Sequence, residues 1–255
     1  MTPDSEHTVR QREFYETRPH PALRPRDDDA YVENLVARLC AVAGIQAHHR
    51  VLEVGAGFGR FTFALAARCA QVTALDLSTK ATEALARERD MRGIAPARVQ
   101  TVNADVDRLE DTPLDTPFDA VVGFFVLHHL EDVGASLDRL IPWVRRDGAV
   151  AFLEPNRWNP LYLFQVACCP DMAWREEKGV WRLGARAVEA HCRRNGLEPL
   201  ATERFGLMPP QVYNRSLRMR RFESWVQGWR WVRPVLPFLL LAARRPATET
   251  VSAGS

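Results

Sequence analysis

Apolar residues in the middle of the chain fall into short runs of strand length that alternate with longer runs of helical spacing. Five short runs have the length of buried strands, at residues 50–54, 71–77, 98–104, 118–125 and 149–153. Three longer runs between them have helical spacing, at residues 61–70, 78–91 and 132–146, and Ser78 is suited to cap the second of these helices. Because parallel neighbours need a crossover that carries a helix, this order predicts a doubly wound α/β sheet covered on both faces.

The pattern changes after the fifth strand. An irregular, aromatic-rich stretch is followed by a helix and a strand, and a second long excursion precedes a last apolar strand, at residues 155–183, 184–195, 197–205, 206–235 and 236–243 in turn. With these strands the predicted sheet is Rossmann-like and seven-stranded, and we expect its last strand to run antiparallel.

One domain accounts for this order of elements. We expect it to span residues 45–245, with insertions at about 155–183 and 206–235. Residues 1–44 would form an N-terminal arm and a helix that act as a lid over bound ligands, and residues 246–255 a disordered tail.

The charge balance and the cysteines restrict the partners. The chain has 34 Lys and Arg against 32 Asp and Glu, a net charge of +2, which gives no electrostatic reason to expect a nucleic acid, so the predicted partner is a small molecule. The five cysteines lack C-x-x-C spacing, which favours a reducing cytoplasm and no bound metal. The first residues are too charged for a signal peptide, and no apolar run reaches 18 residues. We therefore expect a cytoplasmic monomer or homodimer.

A glycine-rich turn directly follows the first strand and opens the first helix. It reads GAGFG over residues 55–59, and glycines let the backbone turn tightly and approach a ligand closely. The dinucleotide fingerprint G-x-G-x-x-G needs its third glycine one place later, where Arg60 stands. The spacing therefore argues against NAD and FAD.

Two carboxylates flank this turn. Asp76 ends the second strand, 21 residues after Gly55, where a carboxylate can accept both hydroxyls of a ribose. Glu53, two residues before Gly55, would repel a pyrophosphate but suits a ligand that carries an ammonium and a sulfonium cation. The cofactor that meets both conditions is S-adenosylmethionine, with S-adenosylhomocysteine as its product.

Four motifs in unbroken order resemble those of class I S-adenosylmethionine-dependent methyltransferases: VLEVGAGFGRFT from residue 51, LDLS from 75, NAD from 103 and FDAVVGFFVLHHL from 118. The resemblance covers about residues 45–155. It implies that Gly55, Ala56 and Gly57 line the methionine part, Asp76 and Leu77 the ribose and adenine, and Ala104 and Asp105 the adenine amino group, with Phe124 near the methionine end. Asp107 is an alternative to Asp105, and either can be an ordinary turn residue.

Methyl transfer to a hydroxyl requires that the acceptor be positioned and its proton removed. His128 follows the fourth strand and Glu154 ends the fifth, at the edge where open α/β sheets bind ligands. This pairing resembles natural-product sugar O-methyltransferases, which implies that His128 is the general base and Glu154 its orienting partner or an acceptor for the substrate. The chain departs from that pattern because Glu replaces the usual Asp, and packing or capping remains the alternative role for His128 and His129.

The acceptor side is the least determined part of the sequence. The candidate substrate-binding residues are Tyr15, His20, His129, Asn156 and Trp158. Asn156 and Asn159 could present amides to an acceptor, or they could form ordinary turns. The aromatic insertions favour an apolar or ring-bearing acceptor of secondary metabolism, methylated on oxygen.

Residues 215–234 mix arginines with tryptophans. The favoured interpretation is a solvated arginine face with the tryptophans turned inward, and contact with an anionic membrane or with RNA is the alternative. Two other functions stay open: a non-methylating, cyclase-like relative that binds the same cofactor, and a methyltransferase for a lipid-like acceptor.

Overall fold

The computed structural model describes residues 9–13, 24–112, 114, 117–160, 162 and 179–247. Seven strands within these ranges form one sheet in the order β3-β2-β1-β4-β5-β7-β6. They are β1 Arg50–Val54, β2 Gln71–Asp76, β3 Val99–Asn103, β4 Phe118–Phe124, β5 Val144–Pro155, β6 Glu198–Phe205 and β7 Phe238–Arg244. Strands β1 to β5 pair in parallel, and β7 runs antiparallel to β5 and β6. The predicted doubly wound α/β, Rossmann-like class is confirmed, including the antiparallel last strand.

The strand order reverses between β1 and β4, which places a crevice at the carboxyl ends of these two strands. The chain runs outward from β1 through β2 to β3 and then returns to β4 on the other side of β1. Open α/β sheets bind their ligands at this kind of reversal. The turns that follow β1 and β4 are therefore the expected place for a ligand.

Helices cover both faces of the sheet. In the part of the chain that the structure describes, residues 9–13 are helical, and the helices that follow are α1 Ala30–Ala43, α2 Thr62–Ala66, α3 Thr79–Met91, α4 Val133–Leu140, α5 Gly179–Arg182, α6 Ala185–Arg194, α7 Pro210–Arg215 and α8 Leu217–Gln227. Ser78 caps α3 as predicted, because its side chain accepts the N–H of Ala81. No helix in the described ranges combines the length and apolarity needed to cross a bilayer.

Each face of the sheet has its own apolar layer. Leu35 and Leu39 of α1 lie in the layer on one face, and Leu137 of α4 and Val188 of α6 lie in the layer on the other. The central strands are therefore buried on both sides. This explains why they read in the sequence as continuous apolar runs and not as alternating ones.

The helix predicted over residues 132–146 is shorter than expected. Helix α4 ends at Leu140, a 3-10 turn covers Ile141–Trp143, and β5 begins at Val144. Pro142 has no N–H to continue the helical hydrogen bonds, so the helix stops there. Asp147, the residue after this predicted helix, instead lies within β5 and has a φ of 63°.

The second predicted excursion, residues 206–235, is largely helical because it contains α7 and α8. Most of the first one, residues 163–178, lies outside the described residues, as does residue 161. Residues 155–160, 162 and 179–183 are what the structure describes of this first excursion.

Candidate active site

The turn after β1 has a backbone that glycine adopts without strain. Gly55 and Gly57 have φ values of 69° and 54°, in the left-handed region. A Cβ on Gly55 would lie 2.4 Å from Cγ2 of Val126, so the segment after β4 packs directly against the turn. A Cβ on Gly57 would meet no heavy atom of the described residues within 4 Å. The turn is therefore supported on one side and open on the other.

Asp76 at the end of β2 holds this turn in place. Its Oδ2 accepts the N–H of Gly57 at 2.7 Å, and its Oδ1 accepts the N–H of Ser78 at 2.9 Å. Burial raises the pKa of this carboxyl, and the two amide donors oppose that rise. Each oxygen makes one hydrogen bond and keeps a lone pair that could accept a hydroxyl.

The end of β3 lies against the end of β2. The Asn103 amide donates to the carbonyl oxygens of Asp76 and Leu77 at 3.1 and 3.0 Å, and the Ala104 N–H donates to that of Asp76 at 3.1 Å. Asp105 accepts the N–H of Asp107 at 2.9 Å and so caps the 3-10 segment that follows. The predicted nucleoside residues thus share one edge of the sheet, and Asn103 fixes their carbonyl groups.

Glu53 is buried on β1, two residues before the turn, with an exposed fraction of 1%. Burial raises its pKa from 4.5 to about 8, the nearby Thr62 hydroxyl lowers it in part, and the charge of Asp76 adds to the rise. Its Oε2 accepts no hydrogen bond from the described residues. A buried carboxyl group of this kind is stabilised in its charged form by a cation.

The end of β4 is aromatic and has an unusual backbone. Phe124 is buried and stacks on Phe61, with ring centroids 4.5 Å apart and ring planes 10° apart. Phe125 has a φ of 57°, which is rare for a bulky residue, and its N–H donates to the carbonyl oxygen of Leu153 at 2.7 Å. The next residue, Val126, packs against Gly55 of the glycine turn.

His128 and Glu154 meet at the carboxyl ends of β4 and β5. Nδ1 of His128 lies 2.6 Å from Oε2 of Glu154, while Oε1 accepts the N–H groups of Val126 and Leu127 at 3.0 and 2.8 Å. Both side chains are buried. A carboxylate that holds the Nδ1 proton makes Nε2 the basic nitrogen of the ring. The pair therefore has the arrangement of a histidine oriented by an acid.

Helix α5 packs against the backbone of His128. A Cβ on Gly179 would lie 1.6 Å from the carbonyl oxygen of His128, so only glycine permits the contact. His129 lies beside His128, with ring centroids 4.0 Å apart.

Asn156 joins the end of β5 to the segment before β7. Its amide nitrogen donates to the carbonyl oxygens of Pro234 and Leu236 at 2.8 and 2.7 Å, and its Oδ1 accepts the N–H of Trp158 at 3.2 Å. Asn159 donates in the same way to Val235 at 2.6 Å. These contacts favour the turn interpretation of both asparagines over acceptor binding.

Known proteins match this chain over the same region. The family model described as a methyltransferase domain matches residues 52–150, which include the glycine turn, Asp76 and His128. An uncharacterized methyltransferase of Mycobacterium tuberculosis is 36% identical over 140 residues, which is 53% of this chain and 66% of the relative.

Residues 52–150 of the chain thus form a methyltransferase domain.

Solved structures share the fold at low identity. The N-methyltransferase NodS of Bradyrhizobium japonicum, in complex with S-adenosylhomocysteine, is 17% identical with a TM-score of 0.59, over 94% of this chain and 100% of that one. The [4+2]-cyclase SpnF is 18% identical with a TM-score of 0.57, over 85% and 81% of the two chains. The fold of this methyltransferase family is thus also found in a protein described as a cyclase.

The predicted site residues divide by location in this methyltransferase fold. Those expected on the donor side, apart from Phe124, cluster at the ends of β1, β2 and β3, and Phe124 lies in the aromatic core. Trp158 is 58% exposed, and Tyr15 and His20 lie outside the described residues. Within the described ranges, no group of three or more His, Cys, Asp and Glu side chains could hold a metal ion.

Three residues that shape the site were not predicted from the sequence: Asn103, Phe125 and Gly179. Asn103 lies within the NAD motif, so its position at the end of β3 was the available signal. The positive φ of Phe125 has no counterpart in residue type, and a lone glycine such as Gly179 does not reveal which backbone it faces.

Proposed function

We propose that this protein binds S-adenosylmethionine at the turn after β1 and transfers its methyl group to a small acceptor. The main support for the proposal is the buried carboxyl group of Glu53. Its carboxyl is buried beside an open glycine turn, with a pKa raised to about 8 and one oxygen without a hydrogen-bond donor in the described ranges. A ligand with an ammonium and a sulfonium group would place positive charge beside this carboxylate and stabilise its ionised form.

The residues around the turn fit the rest of such a ligand. Asp76 would accept the ribose hydroxyls with the lone pairs that Gly57 and Ser78 do not use. Leu77 and Ala104 would border the adenine, and Asp105 would accept its amino group. Phe124 would support this site through the aromatic core and not by direct contact, because it is stacked on Phe61.

For the acceptor, we propose a hydroxyl group and a base made of His128 and Glu154. The bound donor supplies an electrophilic methyl group with a good leaving group. Glu154 holds Nδ1 of His128, so that Nε2 can take the proton of the acceptor hydroxyl as the new bond forms. The natural-product-like, apolar character of the acceptor rests on the aromatic insertions, and we propose that Trp158 and His129 contact it.

Gly57 provides a direct test of donor binding. In Gly57→Ala the added methyl enters the open side of the turn, and we expect S-adenosylmethionine binding measured by calorimetry to weaken at least about tenfold. Gly93→Ala is a matched control, because Gly93 has a φ of 66° and nothing within 4 Å among the described residues. Both variants place alanine at a left-handed φ, so equal losses of affinity would contradict the proposed binding site.

Turnover separates methyl transfer from the cyclase-like alternative. The purified protein is incubated with S-adenosylmethionine and panels of hydroxylated ring compounds, and S-adenosylhomocysteine is quantified by mass spectrometry. A methyltransferase forms one S-adenosylhomocysteine for each methylated product. Conversion of a substrate without S-adenosylhomocysteine would instead support a relative that binds the cofactor but does not consume it.

A further inference from the structure

Helix α8 and the segment after it carry an exposed row of large apolar side chains. Leu217, Phe222 and Trp225 on the helix are 62%, 45% and 56% exposed, and Trp231 and Val235 beyond it are 75% and 45% exposed. Five of the ten exposed large hydrophobic residues in the described ranges thus lie between residues 217 and 235. The prediction that these tryptophans turn inward is therefore wrong for Trp225 and Trp231.

The exposed aromatic residues of this row are linked through Trp229, which is half-buried. Phe222 and Trp225 have ring centroids 5.8 Å apart, Trp225 and Trp229 lie 4.2 Å apart, and Trp229 and Trp231 stack at 5.3 Å. The rings therefore form one ridge on the surface of the protein. Scattered single hydrophobic residues are ordinary on protein surfaces, but a continuous ridge indicates a binding surface.

The exposed charges on this segment itself are all positive. Five exposed arginines occupy this part of the chain: Arg215, Arg218, Arg221, Arg230 and Arg233. None of the five forms a salt bridge within the described ranges. The single acid between residues 206 and 235 is Glu223, which is 3% exposed and accepts the N–H groups of Leu207 and Met208. The surface thus presents guanidinium groups without a neighbouring carboxylate of its own segment.

We propose that this surface, which we name the Arg–Trp face (residues 215–235), binds the surface of an anionic phospholipid membrane. Indole rings partition into the headgroup region, where an apolar body and a polar N–H are both accommodated, and arginines are attracted to anionic headgroups. The aliphatic members Leu217 and Val235 fit lipid better than RNA, because they offer no ring on which a base can stack.

The face is connected to the candidate active site by direct hydrogen bonds. Asn156 donates to the carbonyl oxygens of Pro234 and Leu236, and Asn159 donates to that of Val235. Asn156 follows Glu154 by two residues. Attachment to a bilayer through this face would therefore hold the end of β5 close to the membrane surface, where an apolar acceptor would be concentrated.

Vesicle flotation tests the proposal without any cofactor or acceptor, so its outcome is independent of the proposed methyl transfer. The full chain is mixed with vesicles of phosphatidylcholine alone or with about 30% phosphatidylglycerol. We expect binding to the anionic vesicles only, with most of it lost at about 0.5 M NaCl. Absence of binding to the anionic vesicles at low salt would overturn the proposal.

Two double variants locate the contact. We expect Trp225→Ala with Trp231→Ala, and separately Arg218→Glu with Arg221→Glu, to weaken vesicle binding at least about tenfold. All four side chains are exposed, and unchanged thermal unfolding would show that the variants fold.

Matched controls separate the face from general charge and hydrophobicity. Met91→Ala removes an apolar side chain that is 76% exposed at the end of α3. Arg186→Glu with Arg193→Glu makes the same charge change on α6, which packs on the opposite face of the sheet from α1. Equal losses in these controls, or tighter binding of single-stranded RNA than of anionic vesicles through the Arg–Trp face, would contradict the membrane assignment.

Discussion

Replacing Glu53 by Gln should abolish the proton release that accompanies S-adenosylmethionine binding in the wild-type protein. In the free protein, burial holds the pKa of Glu53 at about 8. A cation beside the carboxylate returns this pKa toward the ordinary value of 4.5. At neutral pH the free side chain is then about nine-tenths protonated and the bound one is ionised, so binding releases close to one proton.

This change in the pKa of Glu53 on binding also sets how strongly the affinity for S-adenosylmethionine depends on pH. If the pKa falls from about 8 to about 4.5 on binding, the affinity rises about ninefold between about pH 6 and about pH 7. This window lies below the ordinary pKa of an α-amino group, so the charge of the ligand changes little within it. Glu53→Gln has no proton to release, and its affinity should be flat over the same range.

Calorimetric titration in two buffers of different ionisation enthalpy measures the released protons directly. S-adenosylhomocysteine keeps the ammonium group and lacks the sulfonium, so proton release with this ligand as well would show that Glu53 senses the ammonium. A wild-type affinity that does not change between these two pH values, together with no proton release, would refute the role of Glu53.

Three further outcomes are expected. His128→Ala should lower kcat about 10²- to 10⁴-fold in the S-adenosylhomocysteine assay if the acceptor is a hydroxyl. The control His191→Ala removes a surface histidine that is paired with a carboxylate at 2.8 Å, and it should change kcat less than about twofold. Asn156→Ala leaves two carbonyl groups without their donor and should lower the free energy of unfolding in urea by about 2–4 kcal/mol, against less than about 0.5 kcal/mol for exposed Trp158→Ala. Because folding raises the pKa of Glu53, its stabilising contribution is complete below pH 4.5 and is lost as the pH rises to about 8. The free energy of unfolding of the ligand-free wild type should therefore fall relative to that of Glu53→Gln across this window, by about 1.4 kcal/mol per pH unit. The same pH dependence of unfolding in both proteins would contradict this expectation.

The parts of the fold that were predictable are those set by local pattern. The central strands could be located because burial on both faces leaves continuous apolar runs, and Ser78 could be placed as a cap because its role depends on the next three residues. The donor side was predictable for a related reason. Glu53 and Asp76 stand at fixed distances from a glycine turn whose backbone conformation is set by its own residues.

The parts that were not predictable depend on contacts between distant segments. Asn156 reads as a turn residue, and nothing in its neighbourhood shows that its amide binds carbonyl groups about 80 residues further along the chain. The early end of α4 is an intermediate case, because Pro142 was visible but the register of β5 against β4 decides where the strand begins. The left-handed backbone of Phe125 accompanies contacts of its ring with Phe61 and Phe238, which are both distant from it in the sequence.

The orientation of helix α8 shows how one polar contact determines a whole surface. Four of the five apolar residues of this helix fall within an arc of about 120° that includes Trp225, so hydrophobicity alone predicts that Trp225 faces the protein. Glu223 sets a different rotation, because its carboxylate accepts the N–H groups of Leu207 and Met208 and must therefore face the protein. Trp225 is two residues later, about 200° around the helix, and so it faces solvent. The exposed tryptophan is thus a consequence of a buried carboxylate, and a helix that was rotated to hide Trp225 would leave two backbone N–H groups without their acceptor.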